Sequence, residues 1–440
     1  LPNVERLLLS CSKSKSTGYT SRKLIGFKRE SDYKQCIEEL AKYGIRPVKS
    51  IQKSRVICCH LDSRRTEQLK SLSKHPNVNF VEPDFKIHAH ILQPVKRSKK
   101  SVRNKSAPYL RKRLRTKSVT ISGRTKSSDS TTTPWNLSQI GANKVWSTTR
   151  GKGAGIAIID TGIAKHSDLK VTGGVNTMGG SSYYDDNGHG THVAGIAAGT
   201  GSYKRPGVAP RASLYAVKAL DANGAGYVSD IIKGIDWCIS KNIPIINMSL
   251  GLEGETSSAL KEAVQRARKN GILIVASAGN NGTMGGRIDQ PARYTDALAV
   301  AASTRYGKIA NYSSRGYGID VTAPGSYIKS TWPGGSYKSL SGTSMASPHV
   351  AGGAALLKSL HPSITPYGIA QRLRNTTKKL SSYAKRTQGY GLIQLADAMA
   401  VSEDTTAASS RVRSAKTKSS AARKTAVAAG KQRQVRGGKR

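Results

Sequence analysis

The stretch Gly155-Ile156-Ala157-Ile158-Ile159-Asp160-Thr161-Gly162 sets four apolar residues directly before an acid, a hydroxyl and a glycine. An apolar run of that length reads as a strand buried on both faces, with the polar residues starting where the chain leaves the sheet. Similar runs recur at 214–217, 243–249 and 272–277, with amphipathic stretches between them. In residues 258–270, Leu260, Ala263, Val264 and Ala267 share one helical face, and Gly271 supplies the stop. Strands alternating with helices from 134 to 400 predict an α/β domain: a parallel sheet with helices on both faces. In such a sheet the chemistry belongs at the carboxyl ends of the strands, where Asp160 falls.

Two more polar segments follow apolar runs at places where that sheet would bring them together. They are Gly188-His189-Gly190-Thr191-His192-Val193-Ala194-Gly195 and Ser341-Gly342-Thr343-Ser344-Met345-Ala346-Ser347-Pro348-His349-Val350-Ala351-Gly352. Asp-Thr-Gly also marks aspartic proteases, but those need two such carboxylates side by side, and the chain has one. A single Asp suits another role. A serine hydroxyl is a poor nucleophile at neutral pH, so it needs an imidazole to take its proton. The imidazole in turn needs a carboxylate to fix its tautomer and stabilise its charged form. Asp, His and Ser occur in that chain order.

The I-D-T-G, N-G-H-G-T-H-V-A-G and G-T-S-M-A-S-P-H-V-A-G motifs, with G-V-A-P-R-A-S-L-Y-A-V-K between them, closely resemble the subtilisin-like serine proteases, the subtilases, over about 134–400. The resemblance implies a serine endopeptidase acting on polypeptides through an acyl-enzyme on Ser344, with Asp160 orienting the base His189 and with His192 and His349 as packing residues. It makes Asn280, in Ser277-Ala278-Gly279-Asn280, an oxyanion donor alongside the Ser344 N–H at a helix N-terminus. Two strand edges, Gly224-Ala225-Gly226 and Ser249-Leu250-Gly251, would pair with extended substrate. Leu252 replaces a glycine usual in the family and would narrow the pocket mouth. Asp289 aligns with the floor of the pocket for the residue before the scissile bond. A carboxylate there favours Lys or Arg, unless it is spent on an ion pair with Arg287 or Arg293. No cofactor is implied for the chemistry. Structural calcium is usual in the family, and Asp168 matches one ligand, but its partner loop 199–206 carries two cations and lacks an expected Asn.

Residues 22–90 show a separate pattern: apolar Leu24 to Phe27, helical stretches near 33–43 and 67–73, and strand-like Val56-Ile57 and 78–81. That predicts a small α+β domain. By resemblance it is the inhibitory propeptide, ferredoxin-like in fold, which makes the chain a zymogen inhibited by its own propeptide; a monomer, secreted or in the secretory pathway, is expected. First self-cleavage is expected near Ala89-His90 or in the adjoining basic stretch, where Lys96, Arg97, Arg113 or Arg115 suit Asp289. Residues 1–21 are expected to be a residual leader or a disordered N-terminus, with Cys11 a conceivable lipid acceptor.

Of the formal +45 charge, residues 92–133 carry +12 and 401–440 carry +9, without a sustained apolar period. A basic linker over 91–133 and a basic tail over 401–440 are therefore expected to be disordered. They are either solvated connections or contacts to a polyanion such as nucleic acid, anionic lipid or acidic glycan. Four of the five cysteines precede residue 60, so no disulfide framework holds the central region, and Cys238 lies on an apolar helical stripe. No apolar run approaches the 18 or so residues of a membrane span. A different class of function stays open: a catalytically idle, basic binding protein that uses the same fold as a scaffold.

Overall fold

The computed structural model describes residues 3–90, 92, 133–203, 205–284 and 287–400. The expected basic tail lies outside the described residues, as does nearly all of the basic linker.

The N-terminal domain runs through α1 (Val4–Cys11), β1 (Ser12–Lys13), β2 (Thr20–Phe27), α2 (Glu30–Lys42), β3 (Lys49–Ile51), β4 (Val56–Asp62), α3 (Thr66–Lys74), β5 (Val78–Pro83) and β6 (Lys86–Ala89). Its antiparallel sheet has the order β1-β4-β2-β5, with β3 added beside β4. Period-two alternation gives the sheet two apolar faces. Ile25, Ile57, Cys59 and Leu61 pack under the three helices, whereas Leu24, Val56 and Cys58 join a core shared with the next domain. Residues 4–11 differ from the expected disordered N-terminus. Val4, Leu7, Leu8 and Cys11 lie one helical turn apart and bury against α2 and α3. Cys11 is fully buried, and burial pushes its thiol up to about 11, so it is no exposed nucleophile.

The α/β domain begins with α4 (Trp135–Gln139), followed by β7 (Gly155–Asp160), β8 (Val171–Asn176), α5 (His189–Ala198), β9 (Ser213–Lys218), β10 (Ala225–Tyr227) and α6 (Val228–Ser240). Then come β11 (Ile245–Met248), β12 (Leu250–Gly251), α7 (Ser258–Lys269), β13 (Leu273–Ser277), β14 (Ala297–Ser303) and β15 (Val321–Pro324), the hairpin β16 (Ile328–Trp332) and β17 (Ser336–Leu340), the long α8 (Thr343–Leu360), and the helices α9 (Pro366–Asn375), α10 (Lys385–Gln388) and α11 (Leu395–Ala400). Seven strands make the parallel sheet, ordered β15-β14-β13-β11-β7-β9-β8. All six residues of β7 are buried. Ile156 and Ile158 face a core with α5 and α8, and Ala157 and Ile159 face one with α6 and α7, which is why the strand reads as a continuous apolar run. On α7 the face Leu260, Ala263, Val264, Ala267 is buried, and the Ser257 side chain caps the helix by accepting the Leu260 N–H. Cys238 is buried in the α6 core, as expected, and all five thiols are free.

The two domains meet through carboxylates placed at helix starts. Asp84 accepts the Ser229 N–H at 2.9 Å at the beginning of α6, while Arg22 pairs with it at 2.8 Å. Glu82 does the same at α7. Strand β6, which was not foreseen, leaves the N-terminal sheet and lies antiparallel between β10 and β12. Among the described residues no helix is long and apolar enough to cross a membrane.

Candidate active site

Asp160 ends β7, where the strand leaves the sheet. Its Oδ1 accepts the Thr161 N–H at 2.7 Å and lies 2.8 Å from Nδ1 of His189, the first residue of α5. Both side chains are buried. With Nδ1–H given to the carboxylate, the lone pair is on Nε2, which is buried and has no hydrogen-bond partner. A ring fixed in this tautomer presents a free base.

The start of α5 is held by Asp185, which sequence reasoning did not single out. Its carboxylate accepts the N–H groups of Asn187, Gly188 and Thr191 and the hydroxyls of Thr161 and Thr191. Asp-x-x-x near a helix start is a capping signal, but its reach back to Thr161 depends on tertiary structure. Gly190 is required here, since a Cβ would stand 2.1 Å from the Gly162 carbonyl oxygen.

Ser344 lies in the first turn of α8. Its Oγ donates to the Ser249 carbonyl at 2.9 Å, so no hydrogen bond joins it to His189 in this arrangement. Pro348, four residues on, has no N–H, and the Ser344 carbonyl it leaves free accepts from Ser249 Oγ at 2.9 Å. His349 donates from Nδ1 to the Met345 carbonyl and faces Asn136 with Nε2 at 2.8 Å. His192 reaches the carbonyls of Ile328 and Lys338 with Nε2. Burial lowers the first ring to about 4 and the second to about 3, as expected of packing histidines.

Beside Ser344, Asn280 is oriented by accepting the Thr343 N–H at 2.9 Å on Oδ1, which turns Nδ2 to donate to the His90 carbonyl at 2.8 Å. His90 follows β6. That strand pairs Ala225, Gly226 and Tyr227 with His88, Ile87 and Lys86 on one side, and Leu250 and Gly251 with Ala89 and His88 on the other. The Ala89 N–H also donates to the Gly224 carbonyl, and the His90 N–H to that of Ser249. Both expected edges therefore hold an extended chain. Leu252 bridges Gln290, and its side chain belongs to the core that also holds Ile288, Ala292 and Tyr294.

Asp289 is 5% exposed, and its Oδ2 lies 2.9 Å from His90 Nε2. Arg293 turns elsewhere, donating to the Glu255 carbonyl and the Thr256 hydroxyl, so the alternative ion pair with it is not formed. Ser277, also not singled out for a side-chain role, puts Oγ 2.7 Å from His90 Nδ1. A cavity of about 410 Å³ adjoins Asn280, lined by Glu253, Thr283, Met284 and Asn311 among others.

Asp168, the expected calcium ligand, is surrounded by hydrogen-bond donors. Its Oδ1 accepts the Tyr203 N–H at 2.8 Å, and its Oδ2 accepts the Arg205 N–H at 2.9 Å and the Tyr337 hydroxyl at 2.6 Å. Both oxygens face donors, where a hard cation would need acceptors. Burial and the neighbouring Asp168 carboxylate raise the Tyr337 phenol, which keeps its proton in place as a donor. Among the described residues no cluster of three His, Cys, Asp or Glu offers another metal site.

Residues 151–391 match the Subtilase family, Peptidase_S8, and the match includes no part of residues 1–90. Among curated relatives, the chain is 49% identical to a thermostable alkaline protease of Halalkalibacterium halodurans over 58% of this chain and 70% of that protein. It is 44% identical to subtilisin Savinase of Lederbergia lenta over 59% and 96% of the two chains. With the minor extracellular protease Epr of Bacillus subtilis it shares 42% identity over 59% of this chain and 41% of that one.

Proposed function

Because the chain belongs to the subtilase family and is a serine endopeptidase, we propose that Asp160, His189 and Ser344 form its catalytic triad, with Asn280 as oxyanion donor. Turning the Ser344 hydroxyl from the Ser249 carbonyl to His189 Nε2 aligns the nucleophile with its base. Nε2 takes the hydroxyl proton as Oγ bonds to the substrate carbonyl carbon. The same proton then goes to the leaving amine as the peptide C–N bond breaks. Water deprotonated by His189 releases the acyl group, and the proton returns to Ser344. Asn280 Nδ2 and the Ser344 N–H stabilise the oxyanion, whose charge develops in the transition state.

One observation carries this reading: the His90 carbonyl accepts from Asn280 while its chain pairs with both cleft strands. His90 thus stands where the residue contributing the acyl group belongs. The N-terminal domain is then an intramolecular inhibitor, the chain up to His90 leaves as a product, and the first cut falls between His90 and Ile91. Asp289 at the pocket floor supports a preference for Lys or Arg before the scissile bond. The name of the extracellular relative from Bacillus subtilis supports action outside the cytoplasm. Basic residues 92–133 and 401–440 would supply any contact to polyanions.

The idle-scaffold reading draws on the Ser344–Ser249 hydrogen bond. Labelling with a fluorophosphonate decides between them: the catalytic reading expects labelling of the matured chain that Ser344→Ala abolishes, with Ile91 as the first residue after the primary cut. Absence of labelling in active-site-intact protein freed of the segment ending at His90 would overturn it.

A further inference from the structure

The side chain that fills the pocket shows which chemistry the pocket reads. His90 is 9% exposed, with Nδ1 2.7 Å from Ser277 Oγ and Nε2 2.9 Å from Asp289 Oδ2, the second an ion-pair contact outside hydrogen-bond alignment. Ser277 Oγ also lies 3.5 Å from the Met248 carbonyl, which can only accept. When the hydroxyl proton points there, an oxygen lone pair faces Nδ1. Both ring nitrogens then face acceptors, and a neutral imidazole has one N–H to offer where an imidazolium has two. Gly251 leaves room for the ring, since a Cβ there would stand 2.1 Å from Nε2.

We propose that Ser277 and Asp289 together make this pocket selective for protonated histidine, so that the enzyme cleaves polypeptides after histidine in its imidazolium form. This rests on the catalytic reading above and adds a substrate class to it. Ser277 acts at a depth that distinguishes histidine from the other cations. Nδ1 is bonded to Cγ, where lysine and arginine present methylene groups, so their charge reaches Asp289 while Ser277 gains no donor from them.

Asp289 is the charged group in contact with the ring. Strands β10, β12 and β13 and residues 278–280 bring no carboxylate, Lys or Arg to it, and Tyr227 pairs with Lys86, four residues before His90. Glu253 lines the adjoining cavity, and Arg293 is turned to Glu255 and Thr256. A free peptide imidazole titrates at about 6.5, so a substrate histidine above that pH arrives neutral and without the charge that Asp289 attracts.

The test uses enzyme matured from the full chain and peptides identical except for His, Arg or Leu before the scissile bond, with kcat/KM measured from pH 6 to 8. Dividing the His value by the Arg value removes the titration of His189, which both substrates share. The ratio is expected to fall roughly ten-fold or more across that range. At pH 6, Ser277→Ala should lower it about three- to ten-fold, the worth of one hydrogen bond. A ratio flat with pH, with Arg still preferred to Leu, would overturn the histidine inference alone. Equal rates for Arg and Leu would overturn the role of Asp289, and no hydrolysis of any peptide together with no fluorophosphonate labelling would overturn the catalytic reading beneath both.

Discussion

Glu82 Oε2 accepts the Ser258 N–H at 2.8 Å, and its Oε1 accepts from the Ser257 hydroxyl at 2.6 Å and from the Ala259 N–H at 3.2 Å. A carboxylate of one domain thus satisfies the open N–H groups at the first turn of α7 in the other, where the helix dipole also favours negative charge. In the 440-residue chain carrying Ser344→Ala, which under the proposed mechanism does not cleave itself, Glu82→Gln should keep part of the hydrogen bonding and lose the charge. The expected cost is about 1 kcal/mol, read from denaturant midpoints. An unchanged midpoint would mean the contact contributes nothing to holding the domains together.

Removal of Asn280 tests the oxyanion assignment separately from the nucleophile. Asn280→Ala leaves the Asp160–His189 pair untouched and deletes the Nδ2 donor, so labelling by a fluorophosphonate should persist while turnover drops. The drop should be roughly 100- to 1,000-fold, a magnitude known for the equivalent loss in subtilisin and not deduced from this geometry. Single-turnover kinetics on a peptide ester measures it, and a change below about five-fold would remove Asn280 from that role.

The apolar runs 155–159 and 272–277 identified central strands because a strand covered on both faces by helices must be apolar at every position. The pairing of Asp160 with His189 was legible for another reason: Asp160 stands where β7 ends and His189 where α5 begins, each within a recognisable motif. Strand β6 was not legible. Lys86-Ile87-His88-Ala89 has one buried apolar side chain, Ile87, and becomes a strand because the edges at 225–227 and 250–251 supply its hydrogen bonds. Ser277 was hidden likewise, since its role appears only with an imidazole beside it. In residues 1–21, Leu7-Leu8-Leu9 alone looks like a short apolar region, which suits a residual leader or a disordered N-terminus equally. Its amphipathic spacing with Val4 and Cys11 is what buries helix α1.

Saturation of Asp168 by donors predicts a fold that does not depend on calcium at this position. Adding a chelator to full-length Ser344→Ala protein should leave Tm unchanged. Asp168→Ala should be costly, because it strands the Tyr203 and Arg205 N–H groups and the Tyr337 hydroxyl in partly buried surroundings. A loss of about 2–3 kcal/mol is expected, given that each stranded donor costs about 1–3 kcal/mol and some will find water. A Tm that falls on chelation and recovers with added calcium would contradict this account of the loop.

The two packing histidines predict how stability responds to acid. Burial holds His192 at about 3 and His349 at about 4, both below the roughly 6.5 of an unfolded chain. Between those limits the unfolded state binds protons that the folded state refuses, so the stabilisation is complete above about pH 6.5 and is lost as pH falls. Each ring contributes a slope of about 1.4 kcal/mol per pH unit while only its unfolded form is protonated. Buried Asp230 and Asp320 are shifted upward and push the other way, so the comparison must be between variants. His349→Gln in the Ser344→Ala background deletes one ring. Its unfolding free energy should therefore change less steeply than the parent's from pH 6 to 4.5, by about one ring's slope, even if its stability at pH 7 is lower. Parallel curves for the two proteins would show that His349 takes up its proton as readily in the folded chain as in the unfolded one.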